Sequence, residues 1–385
     1  MTPIRPRIRL GQVGGGEGAF IGGVHRIASR IDDRFELVAG CFASTPERSR
    51  ASAGPLGVAD DRAYGDYREM AEREAARPDG IQAVSVVTPN HLHYPVAREF
   101  LRRGIHVVCD KPLTSNLEDA RRLHGVARTA RDETGTRFAI TYNYSGYPLI
   151  RQARAMVAAG ELGALRVVQV EYAQDWLARD VENLPPEEGG LKQAGWRTDP
   201  AKAGGGGSIG DIGTHAFHLV GFVTGVHPAR LSARLSTHVE GRRLDDDAQI
   251  ALDYEGGLRA ALWCSQVAVG HENGLRLRVY GSRGGLEWSQ ENPNVLRHAP
   301  LGEPPRLFTR NGPGLYPDAE AVARIPAGHP EGYLEGFATL YREFADTLQG
   351  GTAPLLPGIE DGLRGVAFVD DCLRSAAADS AWVRC

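Results

Sequence analysis

The chain has 385 residues, of which 42% are hydrophobic and 24% charged, and a formal net charge of -4 at pH 7. This composition is typical of a globular protein, and the length predicts two domains. The slight negative charge, without a block of Lys and Arg, argues against a nucleic-acid partner. No apolar stretch has the length of a membrane span, so we expect no membrane partner.

The cysteines and the N-terminal residues indicate a compartment. Five cysteines are scattered along the chain without a C-x-x-C pair. This pattern favours reduced thiols in a cytoplasm over a disulfide framework or a zinc site. Residues 1–7 carry charge without an apolar run behind them, so we expect no signal peptide.

Apolar strand-like segments alternate with helical patterns over the first part of the chain. The strand-like segments are residues 8–13, 35–42, 83–88, 105–109 and 138–142. The helical pattern at 117–131 has Ser115 or Asn116 as its N-cap. Alternation of this kind is typical of right-handed βαβ units and predicts a doubly wound parallel sheet.

The pattern changes after about Tyr144. A predicted helix at 148–159 precedes strand-like segments separated by turn signals, at residues 165–172, 230–237, 248–254, 258–267 and 275–280. Strands joined by glycine-rich turns predict an antiparallel meander. The Pro- and Gly-rich residues 292–330 predict irregular structure, and helical patterns return at 333–348 and 358–378.

These patterns predict an α/β fold with two domains. Residues 1–144 form an N-terminal Rossmann domain that binds a dinucleotide. Residues 145–385 are predicted to form a C-terminal α+β domain with a large open, mainly antiparallel sheet. The helices within 333–380 close the structure and are candidates to pack back on the first domain.

A glycine-rich turn follows the first strand-like segment. Gly14 and Gly16 match the first two glycines of G-x-G-x-x-G, but the next well-placed glycine is Gly22. Glycine there lets the backbone approach a phosphate, whose charge the following helix N-terminus favours. The motif alone fits an ordinary turn equally well, and its place between a strand and a helix favours the dinucleotide site.

The end of the second strand normally selects the cofactor, because a carboxylate there binds the ribose 2′-hydroxyl and repels a 2′-phosphate. Residues 41–46 contain no carboxylate, and Ser44 and Arg48 stand in this region instead. Ser44 could bond a hydroxyl, and Ser44 with Arg48 could hold a phosphate. The alternative is a helix N-cap followed by a solvated arginine, so NAD and NADP both stay open here.

A lysine, an aspartate and a histidine are the candidate catalytic groups. Lys111 follows the segment 105–109, at the carboxyl edge of the predicted sheet where ligands bind. Asp211 and His215 are four residues apart, on one face of a predicted helix, with His218 nearby. A carboxylate raises the proton affinity of an imidazole and orients it as a general base, while Lys111 would polarise a substrate oxygen.

Two alternatives apply to this helix. Asp211, His215 and His218 could ligate a metal ion, but the sequence has no second cluster to complete the site, so we predict no metal. Asp211 could instead cap the helix while the histidines lie in the core. Spacing alone slightly favours this structural alternative.

Four segments together resemble the glucose–fructose oxidoreductase/inositol dehydrogenase/MocA family over essentially the whole chain. They are residues 14–16 with 22–25, Thr88-Pro89-Asn90-His91-Leu92-His93, Asp110-Lys111-Pro112 and residues 210–215. The resemblance implies reversible hydride transfer between NAD(P) and a hydroxyl of a sugar or cyclitol. It implies His215 as the group that moves the proton, with Lys111 and Asp211 as its catalytic partners. The chain departs from the family in having Asp110 where glutamate is usual and extra residues in its glycine loop.

The resemblance also implies cofactor and substrate contacts. The implied cofactor residues are Gly14, Gly16, Ala19, Phe20, Ile21, Ser44, Arg48, Thr88, Pro89, Asn90, His93, Asp110 and Lys111. Residues 195–200 and 329–333 resemble the branch of scyllo-inositol and rare-sugar (L-glucose) 1-dehydrogenases, which favours NAD. The implied substrate residues are Lys111, Tyr142, Asn143, Arg197, Asp211, His215 and His329. The alternative for the branch segments is structural, with Trp196 only packing and Pro330 only starting the last helices.

Residues 176–192 are polar and lack periodicity, which favours a lid or a subunit-contact loop. The open sheet leaves a face that needs covering, so we expect a homodimer or homotetramer.

Three functions fit these observations. The first is an NAD-dependent inositol or sugar dehydrogenase with a small polyol or sugar as its substrate. The second is a relative that retains its NAD and uses transient oxidation to cleave or epimerise a glycoside. The third is a non-catalytic NAD(P)-sensing regulator, against which the presence of Lys111, Asp211 and His215 argues.

Overall fold

A computed structural model describes residues 6–191 and 193–385 of the chain. Residues 1–5 of the predicted Rossmann domain, and Lys192 at the end of the predicted lid, lie outside this description. The chain divides into two compact units. Unit 1 comprises Met1–Asn143 and Tyr333–Leu363, and unit 2 comprises Tyr144–Gly332 and Arg364–Cys385.

The strands are β1 (Ile8–Gly14), β2 (Phe35–Cys41), β3 (Ala83–Val87), β4 (His106–Cys109), β5 (Phe138–Ile140), β6 (Leu165–Ala173), β7 (Arg230–Ser236), β8 (Asp247–Asp253), β9 (Arg259–Ser265), β10 (Gly274–Gly281), β11 (Gly284–Ser289), β12 (Val295–Pro300), β13 (Arg306–Thr309) and β14 (Val383–Arg384). The helices are α1 (Phe20–Ile31), α2 (Pro46–Ala53), α3 (Tyr67–Ala76), α4 (His93–Leu101), α5 (Leu117–Thr134), α6 (Pro148–Ala158), α7 (Ala194–Arg197), α8 (Pro200–Ala203), α9 (Thr214–Thr224), α10 (Pro317–Glu320), α11 (Tyr333–Leu348) and α12 (Ile359–Ala377).

Unit 1 is built on a parallel sheet with the strand order β2-β1-β3-β4-β5. Strand β3 is buried at every position, as expected of a strand covered on both faces. The order of the strands reverses between β1 and β3, and ligands bind outside the carboxyl ends at such a switch point. The glycine loop after β1 and Thr88 after β3 both lie at this place in the sheet.

Helix α11 belongs to unit 1, although it lies far along the chain. Its buried aromatic side chains pack on α1 and β2. The rings of Phe35 and Tyr341 meet edge to face with centroids 5.4 Å apart, and Phe344 stacks on Phe35 at 6.4 Å. The third boundary between the units, Leu363/Arg364, falls within α12.

Unit 2 contains a nine-stranded sheet with the order β13-β12-β11-β10-β6-β9-β8-β7-β14. The pair β6/β9 is parallel, and the other pairs are antiparallel. A large apolar core that includes residues of α6 and α9 covers one face of the sheet. The predicted fold class, a Rossmann domain with an open, mainly antiparallel sheet, is therefore confirmed.

The prediction of irregular structure over 292–330 is wrong in part. Within that segment β12 pairs with β11, and β13 pairs with β12. Long-range pairing with an existing sheet edge outweighs the local turn preference of the flanking proline and glycine residues. The segment also contains the short helix α10.

Candidate functional site

The glycine loop of unit 1 is packed so closely that side chains do not fit. Gly14 and Gly15 have φ values of +83° and +63°, a region that favours glycine. A Cβ atom added to Gly22 would lie 2.1 Å from the carbonyl oxygen of Gly15. Gly22 thus allows α1 to approach the loop, which is the role of the third glycine in dinucleotide-binding motifs. The extra residues of the loop leave this contact intact.

Two polar side chains that the sequence did not single out hold the loop carbonyls. The buried amide of Gln12 donates to the carbonyl oxygens of Gly14 and Gly15 at 2.9 and 3.0 Å. Arg26 donates to the Gly15 carbonyl at 2.5 Å. The loop carbonyl oxygens are thus already bonded to donors of the protein. This arrangement suits a site where the backbone N–H groups bind a phosphate. A glutamine inside an apolar strand is the sequence signal that could have identified Gln12.

The start of α1 and the end of β2 carry further predicted cofactor residues. Ala19 is the N-cap of α1, and Phe20 is 65% exposed and stacks on Tyr333 at 6.2 Å. Ser44 and Arg48 are both exposed. Thr45 rather than Ser44 caps α2, because its hydroxyl accepts the N–H of Arg48 at 3.4 Å. The Ser44 side chain therefore does not serve as the helix cap.

The loop after β3 is joined to the Lys111-Pro112 segment through His93. One ring nitrogen of His93 contacts the carbonyl oxygen of Pro112 at 2.8 Å, and the other contacts that of Thr88 at 2.9 Å. Burial lowers the pKa of His93, although the two carbonyls oppose this shift. The imidazole of His93 thus connects the two loops, while Asn90 lies buried in the turn between β3 and α4.

Asp110 and the half-buried Lys111 follow β4, with a cis peptide bond between Lys111 and Pro112. The Asp110 carboxylate accepts the hydroxyl of Thr141 at 2.6 Å and lies 3.5 Å from His25 Nε2. Burial alone would raise the pKa of Asp110. The contact with His25, the charge of Lys111 and the Thr141 hydroxyl outweigh burial and hold the pKa of Asp110 well below its usual range.

A buried polar network lies behind Asp110. His25 Nδ1 is 2.8 Å from the hydroxyl of Tyr341 and 3.2 Å from that of Ser85. Tyr341 comes from α11, so the returning helix completes the surroundings of the Asp110-Lys111 segment in unit 1. No local sequence pattern indicated the contact between His25 and Tyr341, because 316 residues separate them.

In unit 2, Asp211 lies in a widened helical turn, Ile209–Gly213, that leads into α9. The N–H of Thr214 bonds to the carbonyl of Ile209, five residues back, as in a π-helical turn. Such turns are frequent at functional sites. The predicted shared helix for Asp211 and His215 is present, but its first turn is π-helical rather than α-helical.

The buried Asp245 carboxylate anchors the start of this helix. It accepts the N–H groups of Gly207 and Ile209 at 2.6 and 2.9 Å and the hydroxyl of Ser208 at 2.6 Å. Burial raises the pKa of Asp245, although these donors oppose the shift. The structural alternative from the sequence is therefore wrong about the cap, because Asp245 rather than Asp211 accepts these donors, whereas His215 is buried as that alternative predicted.

His215 is buried among aromatic side chains. Its ring meets that of Tyr144 edge to face with centroids 4.9 Å apart, and the ring of Tyr172 is 6.3 Å away. The two tyrosine hydroxyls are 2.5 Å apart, and Tyr172 also donates to Asn273 at 2.8 Å. Burial raises the pKa of Tyr144. His215 is thus held between rings whose polar ends are bonded to the protein.

The Asp211 carboxylate contacts the side chains of Gln266 and Arg197 in unit 2. The Gln266 amide donates to Asp211 Oδ2 at 2.9 Å, and Arg197 Nε lies 3.7 Å from the same oxygen. The guanidinium of Arg197 lies over the ring of Trp196 at 4.5 Å and near that of Trp176 at 6.0 Å. The structure therefore brings the predicted Arg197 and Asp211 together, and it adds Gln266, which the sequence did not indicate.

The other predicted substrate residues have different surroundings. Tyr142 and Asn143 are buried at the end of the parallel sheet of unit 1. His329 is exposed on a loop of unit 2 that Arg310 holds by donating to the carbonyls of Ile325, Pro326 and His329. His218 is half-buried and stacks on Phe222 at 5.9 Å.

The predicted lid, residues 176–192, is anchored to unit 2 over its first part. The nearly inaccessible Arg242 donates to the Glu182 carboxylate at 2.8 and 2.9 Å and to the carbonyls of Leu177 and Arg179. Leu177 and Val181 pack in a small apolar cluster with Ala194. The segment is therefore fixed at Arg242 before it reaches α7.

The chain matches family models in both units. Residues 8–136 match the oxidoreductase family with an NAD-binding Rossmann fold, and residues 150–287 match the GFO/IDH/MocA C-terminal domain. Among the helices that the structure describes, none combines the length and apolar character needed to cross a membrane.

Several known proteins are similar over nearly the full length. An uncharacterized oxidoreductase, YfiI of Bacillus subtilis, is 33% identical, with 98% of this chain and 96% of that protein covered. The crystal structure of an oxidoreductase from Sinorhizobium meliloti is 51% identical, with a TM-score of 0.87 and 99% and 100% coverage. An inositol dehydrogenase homolog from Azotobacter vinelandii, crystallised with NADH and myo-inositol, is 39% identical, with a TM-score of 0.89 and 98% coverage of both chains. The chain therefore belongs to the GFO/IDH/MocA family of oxidoreductases, with an NAD-binding Rossmann fold.

Proposed function

We propose that the protein is an NAD-dependent dehydrogenase that oxidises a hydroxyl group of a cyclitol or sugar. The observation that carries the proposal is the placement of Asp211 and His215 on one helix, with Arg197 and Gln266 against the Asp211 carboxylate. The similar protein from Azotobacter vinelandii, which binds NADH and myo-inositol, supports a cyclitol as the substrate class.

The reaction needs one proton acceptor and one group that polarises the substrate oxygen. Lys111 Nζ donates to that oxygen and lowers the pKa of the hydroxyl. A ring nitrogen of His215 then accepts the hydroxyl proton, and the Asp211 carboxylate orients the imidazole and stabilises its charged form. When bound, the nicotinamide would supply the acceptor for the hydride that leaves the carbon bearing this hydroxyl. Arg197, Tyr142, Asn143 and His329 are the proposed contacts of the remaining hydroxyls.

The residues of unit 1 that fit the cofactor surround the glycine loop. The Gly15–Gly22 approach and the carbonyls held by Gln12 and Arg26 suit the pyrophosphate. Ser44 and Arg48 are exposed beyond β2, at the position that normally meets the adenine ribose. NAD rather than NADP is the proposed cofactor, supported by the NAD⁺ and NADH bound to the similar structures from Azotobacter vinelandii.

Absorbance at 340 nm tests the proposal with purified protein. A panel of inositols and aldoses is offered with NAD and with NADP in separate reactions. We expect absorbance to grow with NAD and at least one polyol. Silence across the panel, with tight cofactor binding measured separately, would contradict the dehydrogenase and support the enzyme that retains its cofactor and cleaves or epimerises a glycoside.

We expect the chain to form a homodimer or homotetramer through the outer face of its nine-stranded sheet. On that face Val167 and Tyr280 are directly paired across β6 and β10, and each is 41% exposed. Analytical ultracentrifugation that gave the mass of one chain would contradict this assembly.

Residues 176–192 serve as a lid or a subunit contact, and a deletion of 182–190 that left turnover and assembly unchanged would argue against both roles.

A further inference from the structure

The side chain of Gln266 is directed at the proposed catalytic carboxylate. Gln266 directly follows β9 and is almost inaccessible to solvent. Its Nε2 donates to Asp211 Oδ2 at 2.9 Å, across 55 residues of sequence. A hydrogen bond that a buried amide donates to a carboxylate is one of the stronger ones in a protein interior, because the acceptor is charged.

The backbone of Gln266 is held on both sides. Its N–H donates to the carbonyl of Asp246 at 2.8 Å, and its own carbonyl accepts the N–H of Leu177 at 3.1 Å. Asp246 is itself buried and accepts N–H groups of His238 and Val239. The peptide from which the Gln266 side chain extends is therefore fixed, and the burial of the side chain restricts its rotamers.

The contact determines how the Asp211 carboxylate is turned. Gln266 lies nearer to Oδ2 than Arg197 does, since Arg197 Nε is 3.7 Å away. A bond at one carboxylate oxygen fixes the plane of the group and with it the position of the second oxygen. Because the amide is neutral, it provides this orientation without adding a charge beside Asp211.

We propose that Gln266 is a positioning residue for the dehydrogenase reaction, acting through Asp211. Its amide holds the Asp211 carboxylate in the orientation in which Asp211 orients His215. The chemistry of this role rests on the proposed function, whereas the contact between Gln266 and Asp211 stands on geometry alone.

Two variants of the full-length protein test the role, with a third as a matched control. Gln266→Met keeps the length of the side chain and removes the donor, and Gln266→Glu replaces the donor with a second carboxylate. Gln152→Met changes another buried glutamine of unit 2, one that bonds only to backbone groups near residues 314–316 in the contacts described. Steady-state kcat, KM for NAD and for the polyol, and Tm are measured for each variant.

We expect Gln266→Met to lower kcat by about 10- to 100-fold, because a small displacement of a catalytic group costs rate in this range. The KM for NAD should stay unchanged. Gln266→Glu should lower kcat further, because two adjacent carboxylates repel and one of them takes up a proton. Gln152→Met should lower Tm without changing kcat. A Gln266→Met enzyme that loses Tm like Gln152→Met but keeps the wild-type kcat would overturn the positioning role.

A crystal structure of Gln266→Met separates this inference from the proposed function. If the wild-type protein turns over no polyol, the proposed function fails and the kinetic comparison gives no rates. In that case the orientation of Asp211 in the Gln266→Met crystal structure tests the positioning role. A carboxylate turned away from its wild-type position supports that role. A carboxylate unchanged in Gln266→Met would overturn it whatever the activity of the wild type.

Discussion

Two adjacent glycines of α1 differ in what surrounds them, and this difference predicts that a side chain weakens cofactor binding at one position and not at the other. A Cβ atom at Gly22 would lie 2.1 Å from the Gly15 carbonyl oxygen and 2.5 Å from Gly15 Cα. At Gly23 the nearest atom is the end of the Arg26 side chain, 3.9 Å away. Gly22→Ala therefore forces backbone against backbone, whereas Gly23→Ala extends into open space.

The size of the effect follows from these distances. An alanine at Gly22 must displace the glycine loop by about 1.3 Å before the 2.1 Å contact reaches 3.4 Å, the lower limit of ordinary van der Waals contact. Overpacking of this kind costs about 1–3 kcal/mol, and 1.4 kcal/mol corresponds to a tenfold change in affinity. We expect Gly22→Ala to raise the Kd for NADH by about 5- to 150-fold if the loop carries this strain when the cofactor binds. Gly23→Ala should leave the Kd unchanged and stabilise α1 by about 0.5–1 kcal/mol.

Fluorescence titration with NADH measures both values of Kd, and thermal unfolding reports stability. The two variants add the same methyl group to the same helix, one residue apart, so general effects of alanine cancel between them. Equal Kd values for Gly22→Ala and Gly23→Ala would refute the conclusion that the close approach of α1 to the glycine loop shapes the cofactor site.

Three further changes test the site and its support. Replacing His215 or Lys111 by alanine should lower kcat by about 10²–10⁴ with the fold retained, the usual contribution of general acid–base catalysis, and near-normal rates in both variants would contradict their roles. Asp245→Ala leaves the donors of Gly207, Ser208 and Ile209 without their acceptor and should lower the free energy of unfolding by about 1–3 kcal/mol in urea titrations; an unchanged value would argue against the anchor. The pKa of Asp110 is depressed in the folded state, so its ionised form stabilises the fold above the unfolded pKa of about 3.9, and this contribution is lost as the pH falls towards the folded pKa. Asp110→Asn should therefore be less stable than wild type at pH 7, with a smaller difference at pH 3, and a difference that grew on acidification would contradict the assignment.

Much of the fold could be predicted from local patterns. The spacing of the apolar residues and the helix caps predicted the strands and helices of the parallel sheet. The predicted cap Asn116 is present, because its side chain accepts the N–H of Asp119 at the start of α5. The strands β6 to β10 of unit 2 were predicted, but the simple antiparallel meander was wrong, because β6 lies between β9 and β10 and pairs in parallel with β9. The strands β11, β12 and β13 were not predicted, because strands that extend a sheet gain their stability from their neighbours rather than from their own composition.

The candidate site also contains residues that local patterns predicted and contacts that they did not. Spacing and motif order drew attention to Gly14, Gly16, Lys111, Asp211 and His215, because glycine turns and i, i+4 pairs are local features. The contacts that hold these residues come from distant parts of the chain. Asp245 anchors the Asp211 helix across more than 30 residues, and Gln266 reaches Asp211 across 55.

The sequence by itself determined the family, the Rossmann domain and the chemical identity of the candidate catalytic groups, since each of these is encoded in short motifs. Only the tertiary structure decided that α11 returns to unit 1 and places Tyr341 beside His25. It also decided that Asp211 lies in a π-helical turn and accepts a hydrogen bond from Gln266. The physical reason is that a side chain such as glutamine or tyrosine carries the same donors everywhere, and its partner is chosen by packing across the folded chain rather than by its neighbours in sequence.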